Sequence, residues 1–212
     1  MIKLLLNADD FGYSKVFNEE ILKLLGQGYI KSTSVMIREV GSDQKDQIAE
    51  LIRLREVKRV SVGLHFWLNE GGNFEKQLKE QHAKFVKTFG FEPSHFDVHM
   101  PKVKLVEPVL RAVTDYAVSL KMPVRHHLKA DTKQTIYPFL YASDKSFEQI
   151  KEFLDQTKDG GSYEILFHPG RYDPDSRSTL NKGRERDTAN ILEVSDYLKQ
   201  HKNIKLISYF EL

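Results

Sequence analysis

Ile2-Lys3-Leu4-Leu5-Leu6-Asn7-Ala8-Asp9-Asp10-Phe11-Gly12 is a short apolar run that stops abruptly in polar residues. Its length reads as a strand over 2–8, with chemistry gathered at its C-terminal end. Similar runs recur along the chain and predict strands at 34–37, 60–65, 95–99, 123–127, 135–141, 163–168 and 205–208. Between them, apolar residues at three- and four-residue steps predict helices near 15–27, 42–55, 74–89, 106–120, 146–157 and 187–201. Strict alternation of this kind implies parallel strands joined by crossover helices. The 212 residues fall below the roughly 250 typical of a closed eight-fold barrel. A TIM-barrel-like (β/α) barrel, seven-stranded or incompletely closed, is therefore the predicted fold.

The chain reads as a single domain over 1–212, without internal repeat, low-complexity tract or linker. Its one long irregular stretch, 169–186, is polar and rich in Gly, Arg and Asp, which suggests a lid or binding loop. Lys and Arg total 32 against 30 Asp and Glu, so nothing asks for a polyanionic partner, and nucleic acid is disfavoured. No apolar run approaches the roughly 20 residues that span a bilayer, and the first strand meets acidic residues too early for a signal peptide. A chain with no Cys has no disulfide, thiolate metal site or Cys nucleophile, and a cytoplasmic location is the default. Any transition metal must then be held by carboxylates and some of the eight His.

Position organises those His. Polar residues close the predicted strands at Asp9-Asp10, His65, Asp97-Val98-His99, Arg125-His126-His127 and His168. In parallel α/β folds that edge is where ligands bind and catalytic groups gather. Taken singly each residue is weak, since a His beside an apolar run is commonly a satisfied, partly buried side chain and paired Asp often only cap a turn. Their coincidence on one rim is what points to chemistry. One carboxylate and two imidazoles can hold a divalent ion with positions left open, a second carboxylate can take a proton from water, and a further His can protonate a leaving group. Asp9 and Asp10 are neighbours, so both face one pocket only if the chain already turns there, which Phe11-Gly12 permits.

The ordered set Asn7-Ala8-Asp9-Asp10-Phe11-Gly12, Ser32-Thr33-Ser34-Val35-Met36, Gly63-Leu64-His65-Phe66, Pro93-Ser94-His95-Phe96-Asp97-Val98-His99 and Glu164-Ile165-Leu166-Phe167-His168-Pro169-Gly170 resembles the YdjC-like carbohydrate deacetylases. Ile207-Ser208-Tyr209 resembles that family's closing strand. The resemblance implies a barrel-like hydrolase that removes acetyl groups from sugars of the chitooligosaccharide type with a divalent metal. It places Asp10, His65 and His99 as metal ligands, Asp9 as general base and His168 as general acid, the last two also by analogy with other metal-dependent polysaccharide deacetylases. It implies Mg2+, whereas the ligand chemistry itself suits Zn2+, Mn2+, Co2+ or Ni2+ better. This chain departs from the family at Asp97-Val98-His99-Met100-Pro101-Lys102-Val103, where members usually carry a His-rich string resembling DSHQHVH, and it is shorter than many between His65 and His95.

Further expectations rest on the residues themselves. Arg125 would bind substrate hydroxyls, orient Asp9 or form a surface ion pair. Asp97, two residues from His99, shares its strand face and would support that ligand. Trp67 and Phe66 would stack on a sugar ring or pack against a helix, Tyr172 and His95 would sit on the rim, and at most one of His126 and His127 would reach the pocket. His82 and His201 read as solvated. Three readings stay open: an N-deacetylase, another metal hydrolase acting on a phosphoester or cyclic amide through the Arg171, Arg177, Arg184 and Arg186 group, and a non-catalytic sugar-binding homologue. A homodimer is the default assembly.

Overall fold

The computed structural model of the chain describes residues 1–69, 72–99, 106–125, 135–136 and 139–212. Within them run β1 (Ile2–Phe11), α1 (Lys15–Gln27), β2 (Ser32–Val35), α2 (Lys45–Lys58), β3 (Ser61–Phe66), α3 (Phe74–Phe89), β4 (Phe96–Val98), α4 (Val106–Ser119), β5 (Val124–Arg125), β6 (Thr135–Ile136), β7 (Phe139–Tyr141), α5 (Phe147–Asp155), β8 (Ser162–Phe167), α6 (Arg184–Gln200) and β9 (Ile204–Ile207). The strands follow the order β6-β5-β4-β3-β2-β1-β8-β7, with β9 on β1, and every pairing is parallel. β8 occupies one edge of β1 from Lys3 to Ala8, while β9 pairs with Ile2–Leu5 and β2 with the residues beyond. Among the described residues β6 and β7 end the path without pairing to each other, so the barrel is incompletely closed, as the sequence suggests.

A period of two sorts every strand into an outer, helix-facing set and an inner set. Leu4, Leu6 and Ala8 of β1, Val62, Leu64 and Phe66 of β3, Phe96 and Val98 of β4, and Ile165 and Phe167 of β8 join the large apolar core shared with the helices. The intervening residues point into the barrel, where Leu5 packs with Ile207 and Tyr209. Above that plug the inner residues are polar and buried: Asn7, Asp9, Ser34, His65, His95, Asp97, Arg125 and Glu164. Of the two readings open for Phe66, packing against a helix holds: it is fully buried against Phe96 and against Tyr116 of α4, because it falls on the outer face.

Local signals set the helix ends. Ser14 caps α1 by accepting the Val16 N–H at 3.1 Å, Asn73 caps α3, and Ser146 with Gln149 forms a capping box on α5. α6 begins three residues earlier than the sequence predicts and has no side-chain cap. The stretch read as a lid or binding loop is anchored at a few points: its Asp173 and Asn181 are buried and mutually bonded, a 3-10 turn spans Asn181–Gly183, and Arg184 is fully buried. The strand expected at 135–141 is two short strands. His126 and His127, and Met100 to Val103 of the departing segment, lie outside the described residues.

Candidate active site

The two neighbouring aspartates meet in one site through a bulge. Ala8 pairs with Thr33 and Phe11 with Val35, so Asp9 and Asp10 together oppose the single residue Ser34. Asp10 takes a left-handed φ of 70°, which an Asp tolerates better than most residues. Alternation alone would send Asp10 into the helical layer; the bulge returns it to the rim beside Asp9. The turn the sequence assigns to Phe11-Gly12 therefore begins at Asp10 itself.

Three donor atoms converge there. Asp10 Oδ1 lies 3.6 Å from His65 Nε2 and 3.5 Å from His99 Nδ1, and the two imidazole nitrogens are 3.3 Å apart. Two donors each about 2.1 Å from a shared tetrahedral cation would lie about 3.4 Å apart. Asp10 Oδ1 is buried and has no hydrogen-bond partner among the described residues, a costly state for a carboxylate oxygen that a cation would relieve. The other oxygen, Oδ2, accepts from Arg184 Nη2 at 2.6 Å, which fixes the orientation of the free one. Burial opposes the charge of Asp10, yet His99, His168, Arg184 and His65 hold the carboxyl well below the usual range. The donor set thus fits a divalent ion.

Below the triad, one arginine is surrounded by carboxylates. Arg125 donates through Nη1 and Nη2 to both oxygens of Asp9 at 2.8 and 2.7 Å, through Nη2 to Asp97 Oδ2 at 2.9 Å and through Nε to Glu164 Oε1 at 2.9 Å. It is 1% exposed, so it is not a surface ion pair, and its two-pronged contact fixes the position of the Asp9 carboxylate. Asp9 is penalised by burial, but Arg125 keeps it below the ordinary carboxylate range. Asp97 supports His65 rather than His99: its Oδ1 lies 2.7 Å from His65 Nδ1, because His65 and Asp97 are register partners in neighbouring strands. With Nδ1 of His65 bonded to this carboxylate, Nε2 is left for the triad. Burial disfavours the His65 imidazolium, yet Asp97 and Asp9 push its pKa up to about 9.

His168 and His95 occupy opposite situations. His168 Nδ1 lies 2.9 Å from Ser143 Oγ, and burial pushes its pKa down. His95, expected on the rim, is fully buried inside the barrel, bonded to Ser34 and Ser94 and stacked on Tyr209 with ring centroids 3.6 Å apart. Burial pushes its pKa to about 3. A Cβ on Gly63 would lie 2.3 Å from the His95 ring, so the glycine two residues before His65 is the space His95 needs. His82 is not solvated either: it bonds Tyr116 and Glu92 and is only 14% exposed. His201 is part-buried and stacks on Tyr197.

A cavity of about 620 Å3 is lined by Asp9, His65, His99, Arg125, Tyr141 and His168 with the apolar side chains of Val98, Leu110, Phe139, Leu166 and Leu180. Trp67 packs its ring 5.5 Å from that of His99 and lines a second cavity of about 780 Å3 with Tyr13, Glu39, Asp173 and Arg177. Tyr172 is 54% exposed and lines neither. The arginines of 171–186 separate only in part: Arg171 pairs with Glu19 and Arg177 lines the second cavity, whereas Arg184, which holds Asp10, and Arg186 line one small cavity beside His168. The sequence reading missed Ser143, Glu164, Arg184 and Asp187 as members of the site's support. Only Glu164, a charged residue inside the apolar run of β8, carries a signal for that role.

A parallel (β/α) barrel with an Asp-His-His cluster, Asp10 and His65 buried and His99 half-buried, at the C-terminal rim of its strands defines the class. The chain belongs to the YdjC-like protein family, whose model matches residues 3–77 and 72–200. It is 27% identical over 254 aligned positions to a carbohydrate deacetylase of Clostridium beijerinckii, covering 100% of both chains. It is 28% identical over 213 positions to a chitooligosaccharide deacetylase of Citrobacter koseri, covering 80% of this chain and 82% of that one. A crystal structure of a putative cellobiose-phosphate cleavage protein from Enterococcus faecalis superposes with a TM-score of 0.78 at 22% identity, covering 99% and 98% of the two chains.

Proposed function

We propose that this chain is a metal-dependent carbohydrate deacetylase that hydrolyses an N-acetyl group on an amino sugar and releases acetate. The observation that carries the reading is the lining of one cavity by Asp9, His65, His99 and His168, with Asp10 Oδ1 buried and unbonded beside the two imidazoles. Asp10, His65 and His99 would hold the cation, which would supply an acidified water, with a pKa near 7 in such sites, and polarisation of a carbonyl oxygen. Zn2+ or another transition ion matches two imidazoles and a carboxylate better than Mg2+.

Asp9 acts as the general base. Arg125 occupies Oδ2 with one hydrogen bond and keeps the carboxyl ionised, leaving that oxygen with acceptor capacity for the proton of the attacking water. His168 acts as the general acid from the same cavity wall, and its imidazolium delivers a proton to the departing amine. Asp97 keeps His65 oriented through Nδ1, and Arg184 does the same for Asp10. Trp67, beside His99 and facing the second cavity, supplies an aromatic surface for a sugar ring.

The test is acetate release from N-acetylglucosamine oligomers, with and without chelator, beside a screen of phosphoester substrates. Chelator-sensitive acetate release supports the reading. Metal-loaded protein that frees no acetate from several acetylated sugars, or that cleaves phosphoesters instead, overturns it.

A further inference from the structure

The first turn of α6 reaches three strand ends at once. Arg184 donates to Asp10, Thr188 Oγ1 accepts the Gly170 N–H at 3.0 Å, and Asp187 Oδ2 accepts the His168 N–H at 2.7 Å. Asp187 Oδ2 also accepts from Ser143 Oγ at 3.0 Å, and Ser143 Oγ lies 2.9 Å from His168 Nδ1. Asp187, Ser143 and His168 are all buried, and Ser143 stands in the turn just after β7. A hydroxyl has one hydrogen to give, and Asp187 Oδ2 stands as the acceptor for both the His168 N–H and the Ser143 hydroxyl. If the Ser143 hydrogen goes to Asp187, Ser143 can meet Nδ1 only as an acceptor, and Nδ1 must then carry the proton.

We infer that Asp187 and Ser143 form a positioning relay that fixes neutral His168 as the Nδ1–H tautomer, making Nε2 the atom that takes up and yields the transferable proton. The inference rests on the reading of His168 as the acid. In the step it serves, the Nε2–H bond breaks, the proton joins the leaving nitrogen, and the electron pair of the broken C–N bond stays on that nitrogen. His168 returns to the neutral Nδ1–H form, and neither Ser143 nor Asp187 changes its protonation. Both are positioning residues, since the acid alone meets the reacting atoms.

Imidazole 15N spectra of the full chain, with and without Zn2+, read the tautomer directly. The wild type is expected to show Nδ1–H at His168, and Ser143→Ala and Asp187→Asn to lose that preference. Kinetics supply the second arm. Ser143→Ala should lower kcat on an N-acetyl sugar about 10- to 100-fold with KM little changed, Ser143→Thr should recover most of it, and an aryl acetate, whose leaving group needs no proton, should be affected less. A proton on Nε2 in the wild type, or an unaltered tautomer in both variants, overturns the relay whatever the rates. His168→Ala with wild-type turnover would instead remove the acid role, leaving the tautomer spectra to decide the relay.

Discussion

Replacing Arg125 by Met removes the cation around which the barrel interior is organised. Arg125 makes four charge-assisted contacts of 2.7–2.9 Å, to both oxygens of Asp9, to Asp97 and to Glu164, all with almost no exposure. Removing one partner of a buried ion pair typically costs about 3–5 kcal/mol because the remaining charge is left uncompensated. Here three carboxylates lose it together, so Arg125→Met should cost at least about 3–5 kcal/mol at pH 7.5, and Arg125→Lys, which keeps the charge but lacks the fork, should cost less. The pH dependence follows in sign. Without Arg125, burial and mutual repulsion raise the folded pKa values of Asp9, Asp97 and Glu164 above their unfolded ones. Groups raised in this way contribute stability below the unfolded value and lose it as pH rises, so the penalty of Arg125→Met should shrink as the pH falls from 7.5 to 5. Urea unfolding of the three proteins at both pH values measures it. A penalty below about 1 kcal/mol, or one that does not change with pH, would refute a charge-paired interior.

Other consequences follow from the same geometry. Arg184→Met should weaken Zn2+ binding about 10- to 100-fold by freeing Asp10, as measured by competition with a chromophoric chelator; unchanged affinity would dissociate Arg184 from the triad. His95 should stay neutral well into the acid range, because its folded pKa is held near 3 by burial. Since the unfolded chain takes up that proton below about 6.5, His95 should remove stability at up to about 1.4 kcal/mol per pH unit as pH falls through that window, and an imidazolium spectrum for His95 at pH 5 would contradict its burial. Gly63→Ala should destabilise the fold by displacing the His95 ring, which lies 2.3 Å from the new Cβ; thermal unfolding indistinguishable from wild type would show that the ring has room.

The alternation of apolar runs and helical periods was enough to read an incompletely closed parallel barrel, and the polar endings of β1, β3, β4 and β8 were enough to place Asp10, His65, His99 and His168 on one rim. Along-strand spacing reveals which residues share a face but not which lie across from one another. Asp97 was therefore assigned to His99, its neighbour two residues on, instead of His65, its register partner. His95 looked like a rim residue because position along a strand does not give depth in the barrel. Arg184 reads as part of a polar loop and Asp187 as the exposed start of a helix, because buried charges are rare and α6 starts without a capping side chain. Tyr172 reads as a rim aromatic from its type and its place in that loop, and nothing in a sequence separates a rim aromatic from an exposed one.

The central claim is that Asp10, His65 and His99 form one metal site on which turnover depends. Zn2+ titration followed calorimetrically, with acetate release measured on the same samples, tests it most directly in the wild type, Asp10→Asn and His65→Ala. One tight site per chain is expected in the wild type, lost together with acetate release in both variants while the fold persists. Either variant that retains stoichiometric tight binding and metal-dependent turnover would contradict it.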